Sequence, residues 1–322
     1  MITVIAGGVG AARMLRAILH VVDGSEVTAI VNVGDDLELH GLHISPDIDT
    51  VTYTLASAIN PETGWGLSGE TWQARSMLEF YGGQHWFGLG DRDLGTHLYR
   101  TQRLTEGADL AAVTNEIVAA WGLTLSVLPV TCDRLRTMVT LAEDDSDEMA
   151  PPRLRAGAEI SFQEYFVRRR HSVPVSAIRF DGAESSTPTD GVIASIGEAE
   201  TIVIAPSNPL VSIAPVLAVP GVRNALADNR DRVVAVSPLI AGSALKGPAD
   251  RMMTELGHDA SVAGIAALYR EIASTLVIDE ADVERRADVE SLGLTCIATR
   301  TIMSEPGVSE SLARVVLEGV RR

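Results

Sequence analysis

Residues 2–33 limit what this chain can fold into more than any other stretch. Ile2–Ala6 (ITVIA) is a short apolar run rich in β-branched side chains, the pattern of a strand buried on both faces. Gly7-Gly8-Val9-Gly10 interrupts it, and residues 11–22 then carry Met14, Leu15, Ile18, Leu19 and Val22 at helical spacing. A second buried-strand pattern spans residues 26–33 (EVTAIVNV) and stops at Gly34-Asp35-Asp36. Strand, helix and strand within about 35 residues predict a right-handed parallel unit.

Later segments repeat the alternation. Leu110, Val113, Ile117 and Trp121 mark a helix stopped by Gly122, and residues 123–129 (LTLSVLP) read as a strand. Residues 199–205 (AETIVIA) and 232–236 (RVVAV) are further buried strands, and residues 275–278 and 294–298 are late ones before a closing helix over 309–318. The expected fold class is α/β, a parallel sheet between helical layers. Residues 133–190 break the rhythm with an acidic turn (143–150), a hairpin-like run and a polar tract. They are read as an insertion of hairpin and loop character into one unit spanning 1–322, whose core is 1–132 and 191–322. There is no internal repeat and no low-complexity segment.

Composition narrows the function classes. With 46% hydrophobic residues, the 322-residue chain can build a sizeable core. Its 43 acidic and 26 basic side chains give a net charge of −17. That argues against a nucleic-acid surface or docking on anionic lipid, since both need a basic face. No apolar run reaches the roughly 18–20 residues that cross a bilayer. The amino terminus opens directly on a strand pattern without the features of a secretory signal, and the two cysteines, Cys132 and Cys296, form neither a disulfide framework nor a CxxC site. The expectation is a cytoplasmic protein with reduced thiols. The charge also sets a problem: an anionic substrate would need something to offset the repulsion.

Five constellations could carry chemistry. Gly7, Gly8 and Gly10 sit where a helix begins, so the backbone can approach a phosphate and the helix amides can face it. The turn is not a P-loop, because no Lys-Ser or Lys-Thr follows, and Arg13 stands where a dinucleotide fingerprint has its third glycine. A tight turn with no ligand is the plain alternative. Asp35 and Asp36 follow the second strand, and Asp47 and Asp49 follow in SPDIDT; four carboxylates near strand ends suit Mg²⁺ or Ca²⁺, or a hydroxyl ligand. Alternatively, Asp47 or Asp49 only caps a helix starting near Thr50.

The third constellation is GLGDRDLGTH over residues 88–97. Arg92 could grip phosphate in a bidentate way, Asp91 or Asp93 could hold Arg92 or a substrate hydroxyl, and His97 could act as donor or base or be a structural histidine. The fourth is PSNPLVSI after the strand at 199–205: Ser207, Asn208 and Ser212 sit where open α/β sheets bind ligands, although Ser212 would also serve as a helix cap. In the fifth, residues 237–249, Lys246 could reach an anion or be a solvated loop lysine. The run Arg168-Arg169-Arg170 reads as a solvated face more readily than as a phosphate patch.

The order GGVGAAR, NVGDD, SPDIDT, GLGDRDLGTH, FQEYFV, APSNPLVSI and SPLIAG…KGPA, running from residue 7 to about 250, resembles the CofD/FbiA family. That resemblance implies a Rossmann-like fold, usually dimeric. It also implies a transferase of coenzyme F420 biosynthesis. Such an enzyme moves a 2-phospho-L-lactyl or phosphoenolpyruvyl group from a guanosine-diphosphate-activated donor to the ribityl hydroxyl of the deazaflavin Fo. GMP leaves, and a divalent ion, usually Mg²⁺, is required. By resemblance, Asp49 and Arg92 match positions tied to Fo, with Asp91 and His97 beside them; Asp49 and Arg92 are also the expected catalytic residues, Asp49 to orient the hydroxyl and accept its proton and Arg92 to neutralise the diphosphate. Asp35, Asp36 and Asp47 become candidates to hold metal or orient the hydroxyl. The Gly7–Gly10 turn with Ser207, Asn208, Ser212 and Lys246 would cradle the nucleotide. Ala11-Ala12 departs from the Gly-Ala or Thr-Pro that relatives often carry. An acidic rim can hold an anionic donor only through a divalent cation, so the −17 balance becomes an expectation of metal dependence. Two other classes stay open: a nucleotide-sugar-binding regulatory protein similar to the gluconeogenesis factor, and an NAD-dependent dehydrogenase.

Overall fold

A computed structural model describes residues 1–145, 147, 152–245 and 247–319 of the chain. Seven strands form one parallel sheet: β1 (Ile2–Ala6), β2 (Val27–Val31), β3 (Ser126–Pro129), β4 (Thr201–Ile204), β5 (Val233–Val236), β6 (Thr275–Asp279) and β7 (Thr295–Thr299). Their spatial order is β7-β6-β5-β4-β1-β2-β3. Reading out from β1, the chain goes first to β2 and β3 and then returns to β4–β7, which is the doubly wound order with a switch point between β1 and β4. β1, β2, β4, β5 and β6 are buried at every position. This explains their Val/Ile-rich runs: helices cover both faces of the sheet.

Register sets where the strands stop. Ala6 pairs with Val31, Ile5 with Ile204, Ile204 with Ala235 and Val236 with Val277. The segments after β1, β2, β4 and β5 therefore leave the sheet along one carboxyl rim. Helix α1 (Gly8–Leu19) begins at that rim and lays Ala11, Ala12, Met14, Leu15 and Ile18 into the core. Helix α2 (Pro46–Leu55) packs on α1. α3 (Gln73–Phe80), α4 (Asp93–Thr105) and α5 (Leu110–Ala120) follow before β3. The closing helix, Val308–Glu318, returns to pack on α1.

Residues 136–181 hold a separate three-stranded antiparallel sheet in which Arg136–Leu141 lies between Glu159–Ser161 and Val175–Asp181. Val139, Leu141, Ile160, Phe162, Tyr165 and Val175 form its core, completed by Val211 and Met252 from the main body. One residue of the arginine run leaves the solvated face, on which Arg170 stays exposed. Arg169 is fully buried and pairs with Asp145 and, at 2.9 Å, with Glu164. The acidic turn thus supplies the charge that lets an arginine enter the interior. Among the described residues, no single helix is long and apolar enough to cross a membrane.

Candidate active site

The loops of the carboxyl rim enclose a cavity of about 790 Å³ that reaches the switch point. At its floor the chain turns from β1 into α1. A Cβ on Gly10 would lie 2.1 Å from the Pro206 carbonyl oxygen, and one on Gly7 would lie 2.9 Å from Ser212 Cβ. Glycine is required here because the loops after β1 and β4 touch. Ser207 locks that contact, its hydroxyl donating to the Gly7 carbonyl at 2.5 Å. Asn208 caps the helical turn Pro209–Ile213 by accepting from the Leu210 amide at 2.9 Å. The cap is therefore Asn208, and Ser212 lies inside the turn and lines the cavity. Ser207 and Asn208 also line the cavity, and Asn208 Nδ2 donates to Met252 Sδ at 3.9 Å. Lys246 lies outside the described residues.

The loop after β2 supplies the acidic group. Asn32 is fully buried; its Oδ1 accepts from the Gly34 amide at 2.7 Å and its Nδ2 donates to Asp47 Oδ2 at 3.0 Å. Asp47 and Asp49 do not cap a helix near Thr50. Helix α2 starts at Pro46, with Ser45 before it, so both acids occupy its first turn, where a carboxylate meets the positive end of the helix dipole. Ser45 offers its hydroxyl to Asp36 Oδ2 at 2.8 Å, and His43 Nε2 is 3.1 Å from the same oxygen. Asp36 Oδ2 is thus engaged inside the wall and its Oδ1 is buried without a hydrogen-bond partner among the described residues, whereas Asp35 and Asp47 face the cavity. Burial pushes the Asp35 carboxyl well above its usual range, and the charges of Asp47 and Asp36 push it further. Burial also lifts Asp47 to about 7, against the hydrogen bond from Asn32.

These residues fit a divalent cation of one kind. Asp35 Oδ1 is buried without a hydrogen-bond partner among the described residues, and Asp35 and Asp47 repel each other. No group of three or more His, Cys, Asp or Glu side chains is gathered as a metal site among the described residues. Two facing carboxylates completed by substrate phosphate and water are what Mg²⁺ accepts, whereas a fully protein-built cage is not.

A second group sits where α2 meets α4. Arg100, fully buried, grips Asp49 with two bonds: Nη1 donates to Oδ2 at 3.1 Å and Nη2 to Oδ1. Burial pushes Asp49 upward while Arg100 pulls it back. For Arg100 burial lowers the pKa and the Asp49 charge more than reverses this, whereas for Asp49 burial outweighs the pull of Arg100 and the carboxyl stays raised. Arg100 Nη1 also lies 3.3 Å from His97 Nδ1. A guanidinium only donates, so Nδ1 accepts and the ring proton sits on Nε2, which faces Asp93 Oδ2 at 3.4 Å. Tyr53 donates to Asp93 Oδ1 at 2.7 Å. Asp49, Tyr53, Asp93 and His97 all line the cavity, with Trp65, Trp86 and Phe87 beside them.

Asp91 and Arg92 are not among the lining residues. Asp91 accepts from the Gln73 and Ala74 amides at 3.0 Å and caps α3. Arg92 Nη1 donates to the Ser68 carbonyl at 2.6 Å, and Glu70 accepts from the Arg92 and Asp93 amides, capping α4. In GDRDLGTH, then, the first half braces a loop and Asp93 and His97 reach the cavity. Sequence reasoning missed Arg100, Tyr53 and Asn32. Spacing held a signal for two of them: Asp93, His97 and Arg100 recur at i, i+4 and i+7, and Asp49 and Tyr53 at i and i+4, so each set shares a helix face.

Comparison with known proteins agrees with this geometry. The family described as 2-phospho-L-lactate transferase CofD matches residues 2–301. A phosphoenolpyruvate transferase from Streptomyces griseus is 41% identical over 98% of this chain and 97% of its own. One from Streptomyces coelicolor is 40% identical with the same coverage, and one from Mycolicibacterium smegmatis is 38% identical over 98% of each. A crystal structure of a UPF0052-family protein from Bacillus halodurans shares the fold with a TM-score of 0.66, at 16% identity over 98% of both chains. On a match that spans β1 to the loop after β7, together with relatives near 40% identity along their full length, this chain belongs to the CofD family of 2-phospho-L-lactate and phosphoenolpyruvate transferases.

Proposed function

We propose that the enzyme transfers a phosphoenolpyruvyl or 2-phospho-L-lactyl group from a guanosine-diphosphate-activated donor to the ribityl hydroxyl of Fo, releasing GMP. The relatives are phosphoenolpyruvate transferases by name, which favours the enolpyruvyl donor. The observation that carries the reading is that one cavity joins a glycine turn at a helix start to a buried acid bordered by aromatic faces. The first suits a diphosphate. The second suits a hydroxylated, flat heterocycle, for which Trp65, Trp86 and Phe87 offer apolar planes.

Phosphoryl transfer asks the protein for positioning and charge neutralisation more than for covalent chemistry. The Gly7–Gly10 turn and the first amides of α1 would receive the diphosphate, with the Ser212 hydroxyl beside them. Asp49 would accept a hydrogen bond from the ribityl hydroxyl and hold it for in-line attack on the phosphorus distal to guanosine. Since both Asp49 oxygens already bind Arg100, Asp49 orients the hydroxyl and is a weak base. Asp35 and Asp47 would hold Mg²⁺, which when bound neutralises the diphosphate.

Titration of Fo while following its fluorescence tests the acceptor, and mass spectrometry of the product formed with each donor tests the transferred group. Saturable Fo binding and a product carrying the donor's acid are expected. An unchanged Fo signal at saturating donor overturns the reading.

A further inference from the structure

Arg13 is the one residue of the glycine turn's motif that the foregoing chemistry leaves unused. It occupies the place of the third glycine in a dinucleotide fingerprint, whose role is close helix–sheet packing. In this fold the packing falls to Ala11 and Ala12, both fully buried, and Arg13 turns to the other side and lines the cavity. It lies three residues after Gly10 on α1, so the two share a face, and its side chain leans back toward the helix start.

Charge makes the position informative. The described lining contains four carboxylates, Asp35, Asp47, Asp49 and Asp93, and two arginines, Arg13 and Arg75. Arg75 is engaged elsewhere: its Nε donates to the His85 carbonyl at 3.2 Å and its guanidinium lies 5.8 Å from the Trp72 ring centre. Asp49 has Arg100. Arg13 is half-buried and makes no ion pair or hydrogen bond to another described residue. An unpartnered guanidinium in the cavity that the glycine turn also lines is a fork that can receive two anionic oxygens.

We propose that Arg13 binds the diphosphate oxygens of the donor and selects a nucleoside diphosphate over a monophosphate. This rests on the diphosphate-donor reading above and goes beyond it by naming the residue that makes the distinction.

The test is calorimetric titration of inorganic pyrophosphate, GDP and GMP, each with Mg²⁺, into the wild type, Arg13→Met and Arg13→Lys. Losing a bidentate charged contact should weaken pyrophosphate and GDP by ~10–100-fold in Arg13→Met while GMP changes by less than about 3-fold. Arg13→Lys, which keeps the charge without the fork, should recover part of the loss and control for folding. A wild type that binds pyrophosphate but ignores guanosine nucleotides keeps Arg13's role and overturns the guanosine donor. Equal pyrophosphate and GDP affinity in Arg13→Met and wild type overturns the proposal. So does an Arg13→Met protein that binds both normally but loses only the complete donor, because the arginine then reads the acid's carboxylate. Absence of pyrophosphate binding in the wild type overturns it as well.

Discussion

Arg100 on α4 holds Asp49 on α2 through both carboxylate oxygens, and neither residue is more than 5% exposed. Removing one member of such a pair leaves an uncompensated buried charge. Arg100→Met should therefore lower stability by about 3–5 kcal/mol, read from denaturant unfolding. Asp49→Asn keeps the shape but loses the charge, and turnover should fall ~10²–10³-fold. In Arg100→Lys, which folds around a remaining cation but cannot form the fork, turnover should fall with only a small stability loss. Near-normal turnover in Asp49→Asn at saturating Mg²⁺ would remove Asp49 from the site.

Gly10→Ala tests the switch point by steric means. The new Cβ would sit 2.1 Å from the Pro206 carbonyl, which is backbone and cannot swing aside. The loops after β1 and β4 must then separate. Overpacking of this kind costs about 1–3 kcal/mol, and donor binding should weaken with it while Fo binding changes little. Equal loss of both ligands would mean that the two ends of the cavity are not independent.

Much of this was legible in the sequence. Apolar runs located β1, β2, β4 and β5 because both faces of a parallel sheet are covered and leave no alternation to confuse the pattern. Rim residues Gly7, Asp35, Asp47, Asp49 and Ser207 followed from knowing that strand ends carry function. What failed was direction. Whether Asp36 or Asp35 faces the cavity depends on a hydroxyl from Ser45 nine residues away, and Arg92 faces out because Ser68 and Glu70 hold its neighbourhood. Arg100 shares a helix face with Asp93 and His97 and was still overlooked, because a charged residue reads as solvated until its partner from another helix is placed.

Arg92 ties the loop that carries the aromatic wall. Its bond to the Ser68 carbonyl closes the loop of residues 68–92, which carries Trp86 and Phe87. Arg92→Ala should loosen the wall and raise the KM for Fo by ~10-fold with kcat within about 3-fold, the pattern of lost binding without lost transition-state stabilisation. A kcat drop as large as that of Asp49→Asn would instead place Arg92 against the reacting groups.

Asp47 links pH to metal. Its pKa in the folded chain is about 7 against an ordinary 3.8, so between these values the folded state binds more protons than the unfolded state. Stability contributed by this group is therefore present at low pH and lost as pH rises toward about 7. Asp35, raised for the same reason, acts in the same direction. In EDTA, the unfolding free energy of the wild type should decline across this window more steeply than that of Asp47→Asn. Adding Mg²⁺ at pH 8 should restore the wild type and leave Asp47→Asn largely unchanged, because a cation needs the deprotonated carboxylate. Mg²⁺ binding near neutral pH should also release protons, visible as a calorimetric heat that depends on the buffer. Parallel pH profiles for the two proteins, with no response to Mg²⁺, would mean that these carboxylates hold no cation.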